Sequence, residues 1–151
     1  MSAETIVIAG DHGGVELKAL LAEDLKARGF EVLDLGTNST DSVDFPDFSQ
    51  ALAQAIIDGR AARGVLVCGS GIGVAMAANR FPEIRAATVW DHLSARLSRQ
   101  HNNANVLCLG GRLIGPEVAL DCLGVFLETE FEGGRHERRV AKMSQHVTTK
   151  A

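Results

Sequence analysis

Gly64-Val65-Leu66-Val67-Cys68-Gly69-Ser70-Gly71-Ile72-Gly73 decides the fold. Its first half is a short apolar run, the mark of a strand buried on both faces. Its second half places glycine at alternate positions and opens onto a helical pattern over 72–79, so the unit is strand, turn, helix. The same unit recurs in both directions. Upstream, residues 5–9 read as a strand, and 15–28 carry apolar residues at Val15, Leu17, Leu20, Leu21 and Leu25, closed by Gly29 as a helix end. Residues 30–35 alternate like an edge or half-buried strand, 36–42 form a loop, and Pro46 opens a helix that ends near Gly59. Downstream come a strand over 85–90, a helix over 93–100, a strand over 105–109, a helix over 116–127 and a polar helix from Gly134. Five strands alternating with helices predict a parallel sheet, because parallel pairing requires crossovers and helices supply them. The expected class is α/β: one domain over 1–151, a Rossmann-like three-layer sandwich with a five-stranded parallel sheet and a C-terminal tail helix.

With 151 residues, 46% hydrophobic and 23% charged, the chain can bury one core and has none of the composition of a disordered segment. A formal charge of −4 argues against nucleic acid as a partner, since phosphate-backbone binding depends on clustered Lys and Arg. The charge is uneven: from Arg135 onward five basic residues face one acid, a tail of +4 on a body of −8. Such a tail is either a solvated helix or an anion site. The longest uncharged stretch, sixteen residues over 64–79, falls short of the about 20 apolar residues of a bilayer span and is broken by glycines. No membrane helix is expected. The first residues lack a basic region followed by an apolar run, and Cys68, Cys108 and Cys122 form no CxxC pair. A cytoplasmic protein with reduced thiols is expected.

In open parallel sheets, ligands bind beyond the carboxyl ends of the strands. The alternating glycines of the 69–73 turn let backbone N–H groups face a bound oxygen, as an anion or oxyanion cradle. The turn also approaches a dinucleotide fingerprint, with Asp91 about where the ribose-binding acid belongs, although Val74 stands at the third glycine position. A nucleotide-binding module is therefore the competing class. Cys68 abuts the turn, and a base beside an oxyanion cradle is the arrangement for removing a proton from carbon next to a carbonyl. Ser70 adds a hydroxyl donor. Asp11-His12 and His101-Asn102-Asn103 lie at element ends, where each imidazole can polarise an oxygen or move a proton near neutral pH. No HxH, HxxxH or HExxH spacing occurs, so neither a metal nor a cofactor is expected. Arg135 and Arg139, four apart, share a helix face on which two guanidinium groups grip a phosphate dianion, with Arg112 as a third candidate behind Gly110-Gly111. His136 reads as a helix-surface residue.

Five separated motifs together resemble a known family. Gly10-Asp11-His12-Gly13, Asp44-Phe45-Pro46, the stretch from Cys68 to Gly73 with Ala77-Ala78-Asn79-Arg80, Ser98-Arg99-Gln100-His101-Asn102, and Gly133-Gly134-Arg135-His136-Glu137-Arg138-Arg139-Val140 look like type B ribose-5-phosphate isomerase. That family includes galactose-6-phosphate and allose-6-phosphate isomerases. The resemblance implies a metal-independent aldose–ketose isomerase of the pentose phosphate pathway, acting on ribose 5-phosphate through a cis-enediolate. It also implies a homodimer, which pairs into tetramers in some members, with the active site shared between subunits and the 134–151 helix and tail packing on the partner. By position, Cys68 would move the proton between C1 and C2, while Ser70 and the Gly69, Gly71, Ile72 and Gly73 backbone would hold the enediolate. His101 of one subunit would open the sugar ring in the other's site, with Asp11 on the sugar oxygens and Asn102 near the reacting carbons. His12, Arg112, Arg135 and Arg139 would hold the phosphate. Members lacking the Cys use a Glu at the position of Val74. Phe45 replaces a Tyr common in the family, and Trp90-Asp91-His92 falls in a variable stretch at the pocket rim. Isomerisation of a six-carbon or four-carbon sugar phosphate is the alternative within the class.

Overall fold

A computed structural model describes residues 3–145; the end of the basic tail, Lys150 included, lies outside the described residues. The elements in chain order are β1 (Thr5–Gly10), α1 (Val15–Ala27), β2 (Glu31–Asp34), α2 (Phe45–Ile57), β3 (Arg63–Cys68), α3 (Gly73–Ala78), β4 (Ala86–Thr88), α4 (His92–Gln100), β5 (Val106–Gly110), α5 (Pro116–Glu128) and α6 (Arg135–Met143), with a 3-10 turn at His12–Gly14. All strand pairs are parallel, in the order β2-β1-β3-β5-β4. Side chains alternate across a strand, so the three central strands feed two cores. Ile6, Ile8, Val65, Val67, Leu107 and Leu109 pack under α1, α4 and α5 through Leu21, Leu25, Ala95, Leu123 and Phe126. Val7, Ala9, Leu66, Cys68, Val106 and Cys108 pack under α2 and α3 through Leu52, Ala53, Val74 and Ala78. The result is the expected three-layer α/β sandwich.

The order places β2 and β3 on opposite sides of β1, so the direction of winding reverses there and the ends of β1, β3 and β5 lie side by side. Two glycines make that junction possible. Gly71 has φ +74°, and a Cβ on it would meet the Leu109 carbonyl carbon at 2.8 Å; a Cβ on Gly110 would meet the Ser70 carbonyl oxygen at 2.5 Å. Backbone therefore meets backbone where the β3–α3 turn crosses the end of β5.

β4 is shorter than its apolar stretch suggests, three residues rather than six. It is an edge strand paired only with β5, and after Thr88 one further bond, from the Val89 N–H to the Cys108 carbonyl at 3.2 Å, closes the ladder. At the opposite edge, Lys18 of α1 is 1% exposed and donates to both Asp34 oxygens and to Asn38 Oδ1, each at 2.7 Å. The loop it secures pairs with β1: the Gly10 N–H donates to the Gly36 carbonyl and the Thr37 N–H to the Gly10 carbonyl, both at 2.8 Å. Asp11 follows directly. Among the described residues no helix is long and apolar enough to cross a membrane. Of α6, only His136 is buried.

Candidate active site

Cys68, the last residue of β3, Gly69, Ser70 and Gly73 share a cleft of about 310 Å³ with Asp11, Phe45, Arg112 and Leu113. These residues follow β1, β3 and β5 and open α2, so the winding of the sheet, rather than nearness in sequence, assembles them. The Gly71 N–H donates to Cys68 Sγ at 3.1 Å, and Ser70 Oγ lies 4.0 Å from that sulfur. The Ile72 N–H donates to Ser70 Oγ at 3.2 Å. Two amides of the expected cradle are thus spent on orienting its own side chains. The amides of Gly69, Ser70 and Gly73 have no protein acceptor among the described residues and remain for a ligand oxygen. Thr88 Oγ1 donates to the Gly71 carbonyl at 2.6 Å, locking the turn onto β4.

The three thiols divide sharply. Burial pushes the Cys122 thiol up to about 11 and the Cys108 thiol higher still, whereas Cys68 lines the cleft. Iodoacetamide is therefore expected to place one label on the native protein, at Cys68, with Cys108 and Cys122 reacting after unfolding; peptide mass mapping reads this, and early labelling of Cys108 would contradict it.

Asp11 Oδ1 accepts from the Gly13 N–H at 2.9 Å, which braces the turn after β1. His12 Nδ1 accepts from the Val43 N–H at 3.2 Å, so a neutral His12 carries its proton on Nε2. That ring lines a neighbouring depression with Gly13, Thr40 and Gly111. Arg112 has no ion pair among the described residues, in contrast to Arg28 and Arg63, which are held by Asp24 and Glu4.

His101 and Asn102 lie elsewhere. With His136, Arg139, Val140 and Met143 they line a second cleft, which shares no residue with that of Cys68. His101 caps the C-terminal end of α4, and Arg99 holds the following turn through the carbonyls of Ala104 (2.6 Å) and Thr129 (3.1 Å). Arg139 lines this second cleft; Arg135, one turn earlier on α6, lines neither. His136 corrects the expectation of a surface residue: it is 7% exposed, stacked on His101. Its burying neighbours come from the end of α4 and the α5–α6 loop, and no spacing in the sequence signals that meeting.

Asp91 settles the dinucleotide resemblance. Its carboxylate accepts from the Ser94 N–H at 2.8 Å and caps α4 in a reciprocal box with Ser94, a bond that holds the carboxyl below its ordinary range. The acid that a ribose would need is thus occupied as a helix cap. Trp90, Asp91 and His92 line neither cleft, and His92 pairs with Asp121 at 3.0 Å. Phe45 does line the Cys68 cleft, its ring against Gly73.

The model of the ribose/galactose isomerase family matches residues 6–143. A ribose-5-phosphate isomerase B of Escherichia coli is 42% identical over 135 residues, covering 89% of this chain and 91% of that protein. The solved structure of Clostridium thermocellum ribose-5-phosphate isomerase B is 48% identical and superposes with a TM-score of 0.91 over 93% of this chain and 95% of that one. That of Mycoplasma genitalium ribose-5-phosphate isomerase B with bound ribulose-5-phosphate is 41% identical, with a TM-score of 0.90 over 95% and 96%. Likeness at this level over nearly the full length, on a shared all-parallel sheet, means that the chain belongs to the ribose/galactose isomerase family.

Proposed function

We propose that this chain interconverts ribose 5-phosphate and ribulose 5-phosphate through a cis-enediolate, as a single isomerase domain over 1–151. One observation carries the reading: Cys68 Sγ stands in a cleft beside Ser70 Oγ and three amides that have no protein acceptor among the described residues. The relative that holds ribulose-5-phosphate supports the substrate. As thiolate, Cys68 takes the proton from C2 of the open-chain aldose, and the electron pair moves onto the C1 oxygen. Ser70 and the amides stabilise that oxygen. The thiol then returns its proton to C1, while the proton on the C2 oxygen passes to the C1 oxygen, leaving the ketose. His101 opens the furanose by protonating the ring oxygen as the anomeric hydroxyl loses its proton, with Asp11 on the sugar oxygens and Asn102 near C1 and C2. Arg112, Arg135 and Arg139 grip the phosphate, joined by the Nε2–H of His12.

Because His101, Asn102 and Arg139 line a cleft separate from that of Cys68, the reading includes a second copy of the chain. Each copy lends His101 to its partner's Cys68 cleft, and α6 packs on that partner, in a homodimer or a tetramer of two such pairs; the rest of the expected 134–151 contact lies outside the described residues. The three free thiols fit a cytoplasmic setting.

Proton NMR in D2O with EDTA tests the chemistry. Ribose 5-phosphate is expected to yield ribulose 5-phosphate carrying deuterium at C1. Folded protein that gives neither turnover nor exchange sinks the five-carbon reading, and turnover of allose 6-phosphate or erythrose 4-phosphate in its place would move the substrate class.

A further inference from the structure

One cluster sets two residues that the chemistry above does not use, Glu132 and His136, beside His101, which it does. His136 is buried, and its Nε2 has no hydrogen-bond partner among the described residues, a costly state for a polar atom in a protein interior. Its ring stacks on that of His101 with centroids 4.4 Å apart and planes 13° apart. Glu132 brings Oε1 to 3.6 Å from the Nε2 of each. All three donor atoms lie within 4.8 Å of one another. We propose that His101, Glu132 and His136 form a binding site for a divalent transition-metal ion of the zinc class, and that its occupancy withdraws His101 from catalysis.

Two imidazoles and a carboxylate are a borderline donor set, suited to zinc and its neighbours rather than to the oxygen-seeking magnesium or calcium. Bond lengths near 2.0–2.1 Å put adjacent donors of a tetrahedral ion about 3.4 Å apart, so the separations of 3.6 Å from Glu132 need little adjustment. The larger gap between the imidazoles closes by rotation of His101, which is half-exposed at the end of α4. Glu132 is held in place, since its N–H donates to the Gln100 carbonyl at 3.1 Å and ties the α5–α6 loop to α4. A tetrahedral ion held by these three donors takes water as its fourth ligand. Glu132 lies in the α5–α6 loop and His101 comes from the end of α4, so the three ligands meet only once these elements pack together.

The site stands on this geometry alone; the inhibition rests on the reading of His101 as the ring-opening acid. EDTA-stripped protein is titrated with cobalt(II), followed by visible absorption, then with zinc, followed by calorimetry. One ion per chain is expected, with the d–d bands of an N/O site and displacement of cobalt by zinc. Glu132→Gln and His136→Asn are each expected to weaken binding roughly 100-fold or more, since even outer-shell changes reach that scale. Glu132 is half-exposed, so its variant keeps the test open should the other fail to fold. No binding, equal binding in both variants, or a thiolate charge-transfer band that puts the ion on a cysteine overturns the site. Loss of ribose 5-phosphate turnover in step with occupancy, relieved in Glu132→Gln, supports the withdrawal of His101; full turnover at full occupancy overturns that half and leaves the site standing. Metal-free protein that fails to turn over ribose 5-phosphate removes the isomerase reading, and the cobalt spectrum still decides the site.

Discussion

Cys68→Ala is expected to lower ribose 5-phosphate turnover by about 10³-fold while leaving phosphate-ligand affinity within a few-fold, because a positioned general base contributes on that scale. The asymmetry follows from the division of labour around the cleft. The sulfur touches the Gly71 amide and faces Ser70, whereas the groups proposed for the phosphate, Arg112 and His12, stand on the turns after β5 and β1. Removing the thiol leaves those turns in place: Cβ remains, and the Gly71 carbonyl keeps its bond from Thr88. Steady-state kinetics, ligand calorimetry and deuterium wash-in measured together separate the outcomes. Full activity would remove Cys68 as the base. A loss of affinity as large as the loss of rate would assign the sulfur to structure. At the position where the resemblance places an alternative acid this chain has Val74, which offers no carboxylate to substitute.

Asp34→Ala is expected to cost about 3 to 5 kcal/mol of folding stability, the cost of leaving a buried charge without its counter-ion. Lys18, 1% exposed, would retain only the Asn38 carbonyl oxygen as an acceptor. Lys18→Met is expected to cost less, about 1 to 2 kcal/mol, because the stranded carboxylate is a third exposed and still accepts from the Gly36 N–H at 2.9 Å. Urea unfolding of the two variants checks the order, which is the informative part. Equal costs would mean that the burial of Lys18 adds no penalty to the loss of its partner. The Asp34 variant also loosens the 36–38 loop that pairs with Gly10, so its residual activity should fall further than its stability at low denaturant explains.

What could be read from the residues alone follows from how local each signal is. The cores of β1, β3 and β5 are runs of four or five apolar residues flanked by glycine or polar turns, and they form as read because both faces of a central strand are buried. The Cys68-to-Gly73 turn is likewise local, since the strand end, the glycines and the helix start adjoin in sequence. β4 is shorter than its sequence suggests, since an apolar stretch at an edge does not record where its one neighbour ends. The pairing of Lys18 with Asp34 and Asn38 leaves no mark in the sequence, because a lysine in an amphipathic helix looks solvated until a partner sixteen residues away is placed beside it. The burial of His136 is hidden for the same reason. The spacing of Arg135 and Arg139 is correct for a shared face, but spacing does not say which cleft that face meets, and Arg135 lines neither.

The two clefts share no residue, and that separation matters for inheritance. When one working site draws Cys68 from one chain and His101 from another, a chain defective at the first and a chain defective at the second still build one intact site in each mixed pair. In the homodimer proposed here, a single gene would behave as two complementation groups: lesions on the Cys68 side would rescue lesions on the His101 side, and two lesions on the same side would not rescue each other.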